Sequence, residues 1–301
     1  MKLFVFSFIC VLLIGCKEKE VVVIQGNMTR DYEGVNDLSL HGYINRCYID
    51  LLGREALPYE LDLETDELRK DQLSLAARDR MLQNLQTGSD WVSGDSTYSH
   101  AYHFQLYQSL KVRFVEGVGD VAILAKIETY RFNRQKDSLE GRWEQALEFE
   151  REMRRLQELA NTQHDYRQGK IGISEACARM MNNHFYDQIN MNNINFIRAV
   201  HDNLFYRYHT QEEFDAAFEL LEHGTPARIR GQIAYSKGDY LQLLTGTQEF
   251  HEGMIRWAYR MLMSRDPSSQ ETAELLEDFV ANQDFKAVQR SIMKSDEYAR
   301  F

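Results

Sequence analysis

Met254-Ile255-Arg256-Trp257-Ala258-Tyr259-Arg260-Met261-Leu262-Met263-Ser264-Arg265, with Glu271 six residues further on, decides the fold. Ile255, Tyr259 and Leu262 stand at i, i+4 and i+7, a spacing that lines one face of an α-helix. Arg265 falls where that helix ends, and a cation there meets the negative pole of the helix dipole. Pro267 marks a turn. Glu271 then opens a second helix, where an anion is favoured and a bridge back to Arg265 lies within reach. The stretch predicts a helix–turn–helix unit pinned by an Arg–Glu pair.

The same frame occurs twice more without gaps. Tyr43-Ile44-Asn45-Arg46-Cys47-Tyr48-Ile49-Asp50-Leu51-Leu52-Gly53-Arg54 is followed by Glu60, and Phe196-Ile197-Arg198-Ala199-Val200-His201-Asp202-Asn203-Leu204-Phe205-Tyr206-Arg207 by Glu213. Ile, a ring four later, Leu, Arg and Glu recur in all three copies. Each copy also ends on a comparable tag: Thr87-Gly88-Ser89-Asp90-Trp91, Thr245-Gly246-Thr247-Gln248-Glu249-Phe250 and Lys294-Ser295-Asp296-Glu297-Tyr298. A small hydroxyl residue before an acid and a ring reads as a helix N-cap ahead of a buried aromatic. Self-similarity of this kind is the mark of repeated supersecondary units.

The frame resembles two groups of bacterial helical domains of unknown function. One is a short module of secreted and surface-layer proteins with a Tyr-x-x-Leu-x-x-Arg-x-Pro core and a Ser-x-Glu-Phe close. The other is the helical domain of planctomycete cytochrome-associated proteins, whose Tyr-x-Asp-Leu-x-Gly-Arg run is similar to Tyr48-Ile49-Asp50-Leu51-Leu52-Gly53-Arg54. The resemblance covers residues 40–91 and 194–301. Pro58 is displaced from the family position, and His209 stands in copy two where copy three has Pro267. The resemblance implies a helical fold and an extracytoplasmic setting, and no activity.

Composition agrees with a helical chain. Three prolines (Pro58, Pro226, Pro267) in 301 residues are too few for an all-β protein rich in turns. Between Gly119 and Tyr166, Leu139, Trp143, Leu147, Met153 and Leu156 recur at helical spacing. This segment reads as long helices packed by one face, an antiparallel hairpin broken near Asp137–Gly141. The expected architecture is all-α: an irregular multi-helix array with repeated helix–turn–helix units and a long central helical hairpin. The expected divisions are a signal at 1–15, a tether at 16–38, an N-terminal helical unit at 39–115 with copy one, long central helices at 116–190, and a C-terminal helical domain at 191–301 with copies two and three.

The N-terminus carries an address. Lys2 precedes an apolar run too short to span a bilayer as a permanent helix. It ends in Leu13-Ile14-Gly15-Cys16, which resembles the lipobox of bacterial lipoproteins and implies lipidation at Cys16. Lys17-Glu18-Lys19-Glu20 follows; it resembles the surface-export signal of Bacteroidetes lipoproteins, and a solvated tether is the alternative. Two or three acyl chains give stable anchoring, so the expected location is the outer membrane, on its periplasmic or cell-surface face. The net charge of −11, one unit more negative once Lys2 is removed, argues against nucleic acid and anionic membrane surfaces as partners. Cys47 and Cys177 are left, as a disulfide or as two buried thiols.

Chemistry is sparse. There is no nucleophile elbow, phosphate-cradling loop, dinucleotide fingerprint or haem motif, and no cofactor is expected. His100 and His103 are spaced for one helical face. Asn182, Asn183 and His184 form an amide-rich run suited to hydroxyl or backbone groups of a ligand. Against these readings stand packing histidines and helix caps. The pairs Arg54–Glu60, Arg207–Glu213 and Arg265–Glu271 read as structural, because an active site is seldom needed three times. No catalytic or metal set emerges. The expected function is a non-enzymatic accessory or binding subunit of an outer-membrane or surface assembly, held by lipid and bound to a protein partner in the envelope. The alternative is an enzyme or glycan-binding lipoprotein acting on surface polysaccharide or peptide. Replacing Cys16 with Ala should move the protein from the membrane fraction to the soluble one on cell fractionation; retention after signal cleavage would contradict the lipid assignment.

Overall fold

Each copy of the frame builds three helices. The computed structural model describes residues 32–92 and 96–301; Cys16, the signal and most of the tether lie outside the described residues. Copy one forms α1 (Asp37–Leu52), α2 (Pro58–Lys70) and α3 (Leu75–Thr87). Then come α4 (Tyr98–Val115), α5 (Asp120–Leu139), α6 (Trp143–Arg167), α7 (Ile173–Met181) and α8 (His184–Asn190). Copy two forms α9 (Asn193–Phe205), α10 (Gln211–His223), the strands β1 (Ala227–Ile229) and β2 (Gln232–Ala234), and α11 (Lys237–Thr245). Copy three forms α12 (Gln248–Met263), α13 (Ser269–Asn282) and α14 (Phe285–Met293), and α15 (Asp296–Ala299) closes the array. The architecture is an all-α array of many helices. Residues Val35–Phe301 form one compact unit.

The Ile, ring and Leu of every copy are buried: Ile44, Tyr48 and Leu51; Ile197, His201 and Leu204; Ile255, Tyr259 and Leu262. The first helix of each copy ends on a left-handed residue, Gly53, Tyr206 or Ser264, which turns the chain sharply into the second helix. In copies two and three the N-cap hydroxyls Thr210 and Ser268 accept from the backbone N–H of Glu213 and Glu271, each at 3.2 Å. Copy one lacks the hydroxyl and places Pro58 in the first helical turn instead.

The copies are ordered in space as two, three, one. Copy three packs on copy two through a close helix crossing: a Cβ added at Gly253 on α12 would fall 1.9 Å from the carbonyl oxygen of Leu204 on α9. On its other side copy three holds copy one. Arg46 of α1 donates to the carbonyls of Leu262 and Tyr298. Tyr298 donates to Asp50 at 2.7 Å, and the buried Arg78 of α3 donates to the Lys294 carbonyl and to Asp296. Gln86 of α3 accepts from Arg290 at 2.7 Å and donates to the Lys286 carbonyl. Helix α4 runs beside α1 and α3 and ends against copies two and three. There Arg113 donates to the Asn203 carbonyl and lies over the rings of Trp257 (4.9 Å) and Tyr206 (5.4 Å).

Helices α5 and α6 form the antiparallel hairpin, reversing at Glu140–Arg142 with Gly141 at φ +74°. Its base is tied to α4, where Asp120 accepts from Lys111 Nζ at 2.7 Å and Tyr107 Oη at 3.2 Å. The seam is Ile123, Ile127 and Tyr130 against Ala146, Met153 and Leu156. The packing face expected from the sequence holds only in part. Leu139 is 89 % exposed, and Trp143 and Leu147 are also exposed, because α4 and α7 support the far part of α6 and the tip has only its own two helices. The tag expected at 87–91 also fails as an N-cap before a buried ring. Trp91 is 74 % exposed, and the next helix starts at Tyr98 with Thr97 as its cap.

Two glycines in equivalent helices face opposite environments. Gly253→Ala should destabilise the protein by about 1–3 kcal/mol, because the crossing of α9 and α12 must open. Gly42 on α1 has nothing within 4 Å of an added Cβ, so Gly42→Ala should stabilise by about 0.5–1 kcal/mol. Denaturant melts of the two variants check both signs; equal effects would contradict the close crossing.

Candidate functional site

The three Arg–Glu pairs share one geometry. Arg54 meets Glu60 in two parallel bonds of 2.7 and 2.8 Å, Arg207 meets Glu213 at 2.8 and 2.8 Å, and Arg265 meets Glu271 at 3.0 and 2.6 Å. In each pair Nη1 of the Arg also donates to the carbonyl of the next residue, Glu55, Tyr208 or Asp266. Each carboxylate also accepts from the backbone N–H of the N-cap residue, Leu57, Thr210 or Ser268, at 2.7 to 2.8 Å. One ion pair therefore closes the left-handed turn and caps the second helix. In copies two and three the tag acid completes it: Glu249 binds Arg207, and Glu297 binds Arg265 at 2.7 and 2.6 Å. In copy one the Tyr98 hydroxyl also donates to Glu60, at 2.7 Å. Hydrogen bonds from Arg207 hold the Glu213 carboxyl down to about 2, and those from Arg265 hold Glu271 down to about 2.

Copy two departs from this plan in two places. The second and third helices are joined by four residues in copy one and two in copy three, but by thirteen (224–236) in copy two. Those thirteen carry the antiparallel ribbon β1–β2, with Ile229 opposite Gln232 and a two-residue turn at Arg230 (φ +49°) and Gly231 (φ +83°). Both turn residues are left-handed, as the tight hairpin turn requires. Arg230 is not a residue that favours this region, and its guanidinium is anchored, with Nη2 at 2.9 Å from Glu213 and 2.6 Å from Glu249. The ribbon is thereby pinned onto the ion pair of copy two.

The second departure is His201. It occupies the frame position of Tyr48 and Tyr259. Nδ1 lies 2.9 Å from the Ile197 carbonyl, which can only accept, so the proton sits on Nδ1 and Nε2 presents a lone pair. Nε2 stops 3.7 Å short of Glu213 and has no hydrogen-bond partner. Burial pushes the imidazole pKa below its usual value and keeps the ring neutral. His251 on α12 makes the same backward bond, to the Thr247 carbonyl, but its Nε2 is met by Gln283 at 2.6 Å. The Tyr240 hydroxyl of α11 is likewise buried and unpaired.

His201 and Tyr240 line a cavity of about 900 Å³ between α10, the ribbon and α11. One wall is the acidic face of α10, with Glu212, Asp215 and Glu219. Ile229 and Leu244 supply apolar surface. Thr210 and Glu213 are committed to the cap and the ion pair. The free polar groups of the cavity are acceptors more than donors.

The ligand residues expected from the sequence lie elsewhere. His100 accepts from Arg167 Nη1 at 2.9 Å at the surface. His103 is buried against Tyr102 and Tyr166, and burial pushes its pKa down to about 4. His184 packs edge-on against Tyr130 at the hairpin. Asn183 caps α8, accepting from the N–H groups of Phe185 and Tyr186, and Asn182 stands just before it. None of the five lines the cavity, and they do not converge on one another. Cys47 and Cys177 are both buried and free. Among the described residues no group of three His, Cys, Asp or Glu is placed to hold a metal ion.

Comparison with protein-family models, with curated proteins and with solved structures finds no match to this chain. Two signals in the sequence pointed at copy two. The frame ring there is His rather than Tyr, and the spacing from Glu213 to the following tag is stretched by residues containing Gly224, Pro226 and Gly231.

The ion pairs differ in depth: Glu60 is 1 % exposed as a side chain, Glu271 28 %. Arg54→Ala leaves a buried carboxylate without its cation and should destabilise by about 3–5 kcal/mol. Arg265→Ala should cost about 0–1 kcal/mol. Paired thermal melts read the difference; a larger loss from Arg265→Ala would refute this ranking.

Proposed function

We propose that this chain is a lipid-anchored protein of the outer membrane that serves as a non-enzymatic binding subunit of an envelope assembly, with the cavity of copy two as its recognition site. The observation that carries the reading is the contrast within the repeat. Copies one and three join their second and third helices by short links and keep Tyr as the frame ring. Copy two inserts a ribbon, substitutes His for Tyr, and has two buried unpaired polar atoms, His201 Nε2 and Tyr240 Oη, in residues that line a cavity. Buried polar atoms without partners are disfavoured by about 1–3 kcal/mol each, so an occupant that satisfies them recovers that energy on binding. Glu213 is held ionised by Arg207 and Arg230, which suits a fixed structural anion better than a proton donor. The lipid at Cys16 supplies location, and the acidic exterior directs the protein away from polyanions.

The test is extraction of the lipidated chain in mild detergent, comparing the native protein with Ala216→Trp, which fills the cavity from α10. The native chain should carry a stoichiometric companion that the Ala216→Trp protein loses while keeping its melting temperature. Recovery of both chains alone would overturn the subunit reading.

A further inference from the structure

We infer that the copy-two cavity takes an alkylammonium group, with the nitrogen against His201 and Tyr240 and the alkyl stem along the apolar lining. This rests on the binding reading above and adds the chemistry of the ligand.

The argument is a count of donors and acceptors. His201 is neutral with its proton committed to the Ile197 carbonyl, so Nε2 can only accept. The Tyr240 hydroxyl has both lone pairs and its proton free. Glu212, Asp215 and Glu219 on the α10 wall are acceptors. Of the cations on the opposite wall, Arg230 is paired with Glu213 and Glu249, while Arg228 makes one bond, to the neutral Gly231 carbonyl at 2.9 Å, and keeps its charge. What remains is three carboxylates against the Arg228 guanidinium, a site that accepts more than it donates and carries net negative charge. An ammonium has three donors and no acceptor, which matches that remainder. A sugar hydroxyl asks for a donor as often as it offers one, and an anion would meet three carboxylates against the one guanidinium, Arg228, whose bond is to a neutral carbonyl. Ile229, Leu244 and Ala216 provide the apolar surface along which a methylene chain lies while its charged head reaches the polar groups. The acidic face of α10 would not by itself mark a site. His201 and Tyr240, each 1 % exposed and unpartnered, do so independently of it.

Two sources supply this chemistry, a free diamine and the lysine side chain of a peptide. Isothermal titration of the full lipidated chain in detergent would compare 1,4-diaminobutane, acetyl-Gly-Lys-Gly-amide, acetyl-Gly-Glu-Gly-amide and glucose. One or both ammonium probes should bind, and the tighter one identifies the source. The acidic peptide and glucose should not bind. Asp215→Asn with Glu219→Gln, both on the exposed face of α10, should weaken ammonium binding about tenfold, and His201→Phe should weaken it at least as much. Ala216→Trp should abolish it. Binding of glucose in place of the ammonium probes, blocked by Ala216→Trp, would overturn the ligand class and leave the binding reading standing. Ammonium binding unchanged in all three variants would overturn the site. Absence of binding by every probe would overturn the inference, and the companion seen or not seen in detergent extraction would then decide the subunit reading separately.

Discussion

Every copy depends on one bidentate Arg–Glu contact that spans six residues. Its force is geometric before it is energetic. A helix ending on a left-handed residue leaves carbonyls exposed at its close, and the next helix begins with N–H groups that lack partners. The Arg fork satisfies the carbonyl of the next residue in the turn and both carboxylate oxygens, while the Glu satisfies the N-cap N–H. A planar guanidinium fits this fork and a lysine would not. The angle between the two helices is then set without a large hydrophobic contact at the turn. The same motif tolerates Gly, Tyr or Ser at the left-handed position and Leu or a hydroxyl residue at the cap, since the ion pair is common to all three.

A corner held by polar contacts leaves the third helix free to vary, and copy two uses that freedom. Its ribbon is too short to have a core of its own, and two strands of three residues are marginal alone. It is held because Arg230 joins an ion pair that already existed. A ribbon and a cavity have thus been added to a structural corner without disturbing the frame residues Ile197 and Leu204, which stay buried as in the other copies. Arg113 extends the same logic beyond the repeats: a cation over Trp257 and Tyr206 joins α4 to the crossing of copies two and three.

The helical class, the repeated corners and the hairpin were legible because each depends on contacts close in sequence. An i, i+4, i+7 stripe, an Arg at a helix end and a Glu six residues on are local. The errors arose where burial depends on what stands opposite. Leu139, Trp143 and Leu147 have the right spacing for a core, but among the described residues nothing covers them at the hairpin tip. Trp91 resembles the ring of a tag, while the chain continues to Tyr98 before a helix begins. The histidines singled out by spacing, His100 and His103, proved to be a surface residue and a packing residue. His201 was in view as a frame position, and what sets it apart is an unpaired nitrogen, which depends on the absence of a partner such as Gln283 provides for His251. Absence of a partner has no signature in sequence.

The order two, three, one has a consequence for the folding of the chain. Copy one is made first, yet its polar anchors are the Leu262 carbonyl, Asp296 and Tyr298, with separations of 216 to 252 residues from their partners on α1 and α3. Such distant closures raise contact order and slow folding. Until residues 294–301 arrive, Arg78 would be a guanidinium inside copy one without the Lys294 carbonyl and Asp296 that it later binds. The N-terminal copy therefore has reason to remain open while the rest of the chain is being delivered, and completion of the fold becomes a late event triggered by its last turn. An early-made copy is thereby among the last parts of the fold to close.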